Sequence, residues 1–381
     1  MVQKITDFPL CIIVCFLFGV LGLHSLEAIP RFAVVNGTSC STCHISPTGS
    51  GLRNDYGIAI FSMDELPALP GRKWTDESFS GLITDHLQLG ADFRLQFFGY
   101  TEGDTAQKIA IFPMQSDIYG YIEVNRIMDV YVELDLIRNN SEIWTSLNLF
   151  PNDGYIRIGK KIPHYGLPLD DHTSFVRGGN IRRNYGLTKE GMPFSPFTPI
   201  PGMIEIGVNL SDFFLTWSIS NGYVLGRDQR YGFGESISDK TVTGRIEYSK
   251  AYTSWSILAG GSIMKEQDFS MWGLFGGVSR GNVSWEGEVD LAENWASKDP
   301  SLASYSQFSW QLFQGLYLLT KYDFFDLDVS RKGEWVSRFS GGIEFFPVSF
   351  LEIKAQVRVT NTSELEMMSK PEYLLQFHTW F

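Results

Sequence analysis

Three features of the sequence predict an all-β chain wound into a wide antiparallel barrel of about sixteen strands. Segments of about ten residues alternate apolar with charged side chains, tight connections between them alternate with long ones, and the chain ends on an aromatic residue. Composition agrees with that class. The 381 residues carry 31 Lys plus Arg against 43 Asp plus Glu, a net charge of -12 that excludes a basic nucleic-acid binder. The mean hydropathy of -0.06 argues against a bundle of membrane helices, and an aromatic share of 14% suits interfacial girdles or a large core.

Taken in order, the chain opens with an apolar run, Phe8 to Leu23, that follows Lys4 as the hydrophobic region of a signal peptide does. Residues 1–28 are expected to be removed, with Ala28 as the last residue cleaved, although Leu26 fits the small-residue rule poorly. The alternative is a retained anchor, but the run is shorter than the ~20 residues a spanning helix needs. Cleavage takes away Lys4, Asp7 and Glu27, leaving a charge of -11, and also Cys11 and Cys15. Cys40 and Cys43 are then the remaining cysteines.

Those two stand in Cys40-Ser41-Thr42-Cys43-His44, the C-x-x-C-H spacing of covalent c-type haem attachment. Two thiols three positions apart can each reach one vinyl group of a porphyrin, and the adjacent His44 then lies under the iron as its proximal ligand. A structural zinc pair would need two more ligands, and no second cysteine pair exists. A redox disulfide would need a βαβ context that the neighbourhood does not supply. The expectation is therefore one covalent haem c in a segment spanning residues 29–80, looped and rich in Gly, Ser and Pro, as in Pro47-Thr48-Gly49-Ser50-Gly51. About fifty residues cannot bury a haem in a core of their own, so this segment is expected to lean on the rest of the chain.

Residues 81–381 form the barrel. Leu351, Ile353, Ala355, Val357 and Val359 alternate with Glu352, Lys354, Gln356 and Arg358. Val283, Trp285, Val289 and Leu291 do so with Ser284, Glu286, Glu288 and Asp290, as do Val130, Val132 and Leu134 with Asp129, Glu133 and Asp135. In a soluble sandwich the apolar face would line a core; in a wide barrel it faces lipid around a wet lumen. Tight connections are expected at Asn125-Arg126, Asn152 to Gly154, Ser211-Asp212, Gly281-Asn282, Gln314-Gly315 and Pro347-Val348. Long ones are expected at Thr101 to Ile111, Lys160 to Gly202, Asn221 to Asp239, Asn294 to Leu302 and Leu327 to Glu334. The Lys160 to Gly202 connection carries Lys160, Lys161, Arg177, Arg182 and Arg183, which could meet haem propionates from inside the lumen or lie in a solvated outer loop. The last strand, Tyr373 to Phe381, puts Tyr373, Leu375, Phe377 and Phe381 on one face.

Taken together, the Pro30-Arg31-Phe32 lead into Cys40 to His44, the Pro47-Thr48-Gly49 tail, the Gly166 to Phe175 segment and the final Phe381 resemble the outer-membrane fused monohaem cytochrome–porins, a class that includes bacterial iron oxidases. The resemblance covers most of the mature chain, in architecture more than in residue identity. It implies electron transfer across a bacterial outer membrane through a haem seated at or inside the barrel, between an extracellular redox substrate, with Fe(II) one candidate, and a periplasmic c-type cytochrome or other electron carrier. The competing expectation is a passive diffusion porin with a structural or sensory haem plug. No catalytic residue is assigned. The distal iron ligand stays open among Met63, His86, His164, His172 and His378, of which His172 lies in a segment that carries the resemblance. Alternation places His86 and His378 on the lumen faces of the first and last strands. Lumen carboxylates Glu133, Asp135, Glu286, Glu288 and Glu352 are expected either to bias the interior towards cations or simply to hydrate the wall.

Overall fold

A strand that is apolar at every second residue has two unlike faces, and a closed ring of such strands sorts them into an outside and an inside. The computed structural model describes residues 29–49, 51–69, 81–102, 106–169, 171, 173–179, 189, 191–193, 199–222, 240–363 and 371–381. The expected signal peptide lies outside them. A short strand, β1 (Leu82–Thr84), pairs with β2 (Leu87–Glu102). The wall continues through β3 (Ala106–Asn125), β4 (Met128–Asp135), β5 (Asn140–Phe150), β6 (Gly154–Lys161), β7 (Ile200–Leu210), β8 (Phe213–Asn221) and β9 (Lys240–Ala251). It is completed by β10 (Ser256–Glu266), β11 (Phe269–Arg280), β12 (Val283–Glu293), β13 (Ser301–Phe313), β14 (Leu316–Asp326), β15 (Trp335–Val348), β16 (Leu351–Thr362) and β17 (Glu372–Trp380).

Every neighbour along this series is antiparallel, and β17 pairs back onto β2, with His378 opposite Arg94 and Phe377 opposite Leu95. The sixteen strands from β2 to β17 thus form a closed barrel, in which each has two partners and no edge faces lipid. The two faces sort as alternation requires. Trp285 and Val289 are 46% and 47% exposed on the outside, whereas Glu286 and Glu288 are each 2% exposed within. Val357 likewise points out while Glu352 and Arg358 are buried. A greasy exterior around a charged interior is the reverse of a soluble sandwich and is the profile of a membrane barrel.

Most tight turns fall where the sequence places them, and two expectations need correction. The turn assigned to Pro347-Val348 lies two residues later, at Ser349-Phe350, because the strand pattern runs on through Val348. The long loop assigned to Thr101–Ile111 is mostly strand: Thr101 pairs with Gln107 and Tyr100 with Lys108, so this hairpin continues as paired backbone. Most of the Asn221 to Asp239 connection lies outside the described residues.

The interior is filled by the chain itself. The N-terminal segment starts with α1 (Pro30–Asn36), where Pro30 occupies the first turn, a position that needs no amide donor. Gly37 ends the helix in the left-handed region, at φ 58°, and passes so close to the turn after β9 that a Cβ there would lie 2.3 Å from the Lys250 carbonyl carbon. Arg31 is buried in an ion pair with Glu344 of β15 and sits 4.3 Å from the ring centroids of both Phe32 and Tyr317. The Ser256 hydroxyl donates to the Val34 and Val35 carbonyls at 2.5 and 2.8 Å. A π-helix, Gly57–Glu65, leads to residues 66–69, which lie against the tight turns after β13 and β15: the Ala68 amide donates to Phe346 at 2.8 Å and the Gln314 amide group to Pro67 at 3.0 Å. The segment therefore plugs the barrel from its short-turn end, leaning on the wall as its length requires.

Candidate functional site

Cys40 to Thr42 form one turn of 3-10 helix, and the Cys43 and His44 amides donate to the Cys40 carbonyl at 3.2 and 3.1 Å. Asn54 clamps this turn. Its side-chain amide donates to the Ser41 and Thr42 carbonyls at 3.1 and 3.0 Å, its backbone amide to Cys43 at 2.9 Å, and its Oδ1 accepts from Gly57 at 3.0 Å. Gly57 must be small, since a Cβ would stand 2.3 Å from the Cys43 carbonyl oxygen. His44 is bridged to Arg53, closing a hairpin-like loop over the Pro47 to Gly51 tail, and Arg157 of β6 reaches in to donate to the Ile45 carbonyl at 2.9 Å. Both cysteines are buried, and burial pushes the Cys40 thiol well above its ordinary range, so it is held as the neutral thiol. Among the described residues no three His, Cys, Asp or Glu side chains converge on a metal-binding geometry.

The motif faces a cavity. It holds about 1050 Å³ of atom-free space, counting its open mouth. Cys43 and His44 form one side, with Phe61 and Ser62 of the π-helix beside them. Phe346, Trp380, Ile162 and Leu169 give it an apolar wall, while Arg53, Arg94 and Arg177 bring cations to its edge. Cys40 packs one turn away, in the core around Val34, Ile162 and Phe275.

The other wall comes from the connection between β6 and β7, which folds into the lumen. Pro163, two residues after the last strand pair of β6, cannot extend the ladder, and the chain turns inward there. Residues of β9, β12 and β14 then hold it. Tyr165 donates to Asp290 at 3.1 Å, Leu167 to Glu288 at 2.7 Å and Ser174 to Asp323 at 2.5 Å. Arg245 donates to the Gly166 carbonyl at 2.9 Å, and Arg177 pairs with Glu288 at 2.8 Å. Of the two readings of this connection, the interior one holds for these residues; Arg182 and Arg183 lie outside the described residues. Arg177 reaches the cavity edge already bound to Glu288.

The candidate distal ligands are scattered. His164 lines the cavity, its Nδ1 3.3 Å from the Thr216 hydroxyl and its ring 5.6 Å from that of Phe214. Burial, then Arg245, Lys161 and Arg157, hold its pKa well below the usual histidine value. His378 also lines the cavity, but Nδ1 is 2.9 Å from Glu352 and Nε2 is 3.2 Å from Asp92. His86 is exposed in the turn between β1 and β2, not on a lumen face, because β2 starts one residue later than alternation suggests. Met63 lies half-buried on the π-helix, outside the cavity lining formed by its neighbours Phe61 and Ser62. His172 lies outside the described residues.

The lumen carboxylates are largely committed to the protein. Glu288 takes Arg177, Asp135 takes Arg138 at 2.9 Å, Glu352 takes His378, Glu133 accepts from Tyr131 at 2.9 Å, and Glu286 accepts from Tyr305 at 3.1 Å and Gln307 at 3.0 Å. They hold the wall and plug together and do not form a bare cation path. Sequence reasoning missed Asn54 and Gly57, whose roles depend on a close approach that no motif advertises.

No protein-family model and no curated protein matches the sequence. Among solved structures the fold is similar to Pseudomonas putida OprB, at 7% identity and TM-score 0.57 over 84% of this chain and 100% of that one. It is similar to an anion-selective porin from Comamonas acidovorans, at 10% identity and TM-score 0.54 over 77% and 99% of the two chains. It is also similar to the outer-membrane protein OmpT of Vibrio cholerae, at 13% identity and TM-score 0.53 over 79% and 99%. The architecture is that of outer-membrane β-barrel porins.

Proposed function

We propose that this chain is an outer-membrane barrel that carries one covalent c-type haem in its lumen and passes electrons between an extracellular redox substrate and a periplasmic cytochrome. The observation that carries the proposal is the lumenal cavity lined by Cys43 and His44 of the C-x-x-C-H motif. The residues present fit the group. Cys43, which lines the cavity, and Cys40, packed one turn away, would supply the two thioethers and His44 would hold the iron; the apolar wall suits a porphyrin face, and Arg53 and Arg94 could meet its propionates. When bound, haem supplies a one-electron iron couple. The hydrocarbon layer is about 30 Å thick, so a redox centre inside a barrel shortens the distance any one electron transfer must span. Cys40, Cys43 and His44 are all buried, which suits a fixed centre more than a wide aqueous pore.

A second reading, a diffusion porin with a structural or sensory haem plug, draws support from the porin architecture of the structural neighbours. Electron exchange separates the two. In proteoliposomes with an internal reductant, the reduced protein is expected to be oxidised by an external membrane-impermeant acceptor, while the Cys40→Ala, Cys43→Ala double variant stays silent. Ion conductance without electron exchange would favour the second reading.

A further inference from the structure

We infer that His164 is the distal axial ligand of the iron held by His44; the inference rests on the haem reading above. Among the described residues, three histidines line the cavity beside the motif: His44, His164 and His378. His378 has both ring nitrogens within hydrogen-bond distance of carboxylates, Glu352 and Asp92, so metal binding there would give up one of those two bonds. His164 is built differently. Its Nδ1 faces the Thr216 hydroxyl, which fixes the ring and commits that nitrogen, leaving Nε2 as the metal-binding atom, the arrangement in which an outer partner orients a ligating imidazole. Phe214 packs against the ring, and the segment that carries it is pinned on both sides. Lys161, three residues before, pairs with Glu205 at 3.1 Å, and Tyr165, one residue after, donates to Asp290. The inward connection thus has a purpose beyond narrowing the lumen: it delivers an imidazole from the wall to a cofactor attached to the plug, coupling the two by a coordination bond.

The test is optical and magnetic, on the haem-loaded full chain purified in detergent. The intact protein is expected to show a six-coordinate, low-spin spectrum. His164→Ala is expected to turn high-spin, to bind carbon monoxide in the reduced state, and to regain the low-spin spectrum on adding free imidazole. His164→Met, which keeps a ligand if the alanine variant fails to assemble, is expected to stay low-spin with a raised potential, as a thioether axial ligand gives. His86→Ala, His172→Ala and Met63→Leu are expected to keep the low-spin spectrum. A coloured His164→Ala protein that remains low-spin, or loss of that spectrum in one of the other variants instead, overturns the assignment and leaves the haem reading standing. A colourless intact protein removes the haem reading itself.

Discussion

Arg31 shows how a single side chain can fix an N-terminal segment inside a barrel. Its guanidinium is buried between two aromatic rings against Glu344, and its own pKa is raised: burial is the largest influence and opposes the charge, but Glu344, Tyr317 and Glu286 together outweigh it. Removing one partner of a buried pair typically costs about 3–5 kcal/mol. Lys354, 3.0 Å from Glu344, keeps that carboxylate from being stranded, so Arg31→Ala is expected at the lower end, read as lost hydrogen-exchange protection of residues 30–36. Asp171 makes a pH prediction. Burial opposes its ionisation, but Lys321 and Arg338 beside it hold its carboxyl well below the usual range. A depressed carboxylate contributes stability above the unfolded value and loses it as pH falls through the folded one. The inward connection is therefore expected to stay docked down to about pH 4, where a free carboxyl titrates, and to loosen only in stronger acid; Asp171→Asn removes that dependence, as protease sensitivity of the segment would report. At this scale the sequence announces Cys40, Cys43 and His44 through their spacing alone. It does not announce Asn54 or distinguish His164 from His378, because both distinctions rest on partners far away in the chain.

Among the elements, the connection between β6 and β7 carries the most consequence. Its Arg177–Glu288 pair and the Tyr165, Leu167 and Ser174 bonds fasten it to β12 and β14. Arg177→Ala breaks a buried pair and is expected to raise single-channel conductance in planar bilayers several-fold, roughly in line with losing about 3 kcal/mol of docking energy; unchanged conductance would show the connection held without that pair. The strands themselves are legible by alternation because each wall residue meets either lipid or lumen and nothing intermediate. Where reading fails is at hairpin ends. The β2–β3 pair runs on to Glu102 and Ala106 through polar residues that read as loop, since paired backbone needs no apolar face once it leaves the membrane.

As a whole, the molecule is a porin-like barrel whose lumen is occupied by its own N-terminal segment and the connection between β6 and β7. Its wall was foreseeable from the repeated ten-residue pattern, its filling less so: that a fifty-residue segment must lean on the barrel follows from size, but which strands receive it does not. Seven to thirteen per cent identity to barrels of the same architecture fits a fold dictated by pattern more than by residue identity. The central claim is that a porphyrin is bonded to Cys40 and Cys43 inside this folded barrel. Haem quantitation of the folded, membrane-extracted species tests it most directly. The account predicts one haem per chain that survives boiling in detergent with peroxidase activity on the gel and vanishes in the Cys40→Ala, Cys43→Ala variant while the barrel still assembles. A colourless folded barrel, or colour that leaves on denaturation, would contradict it.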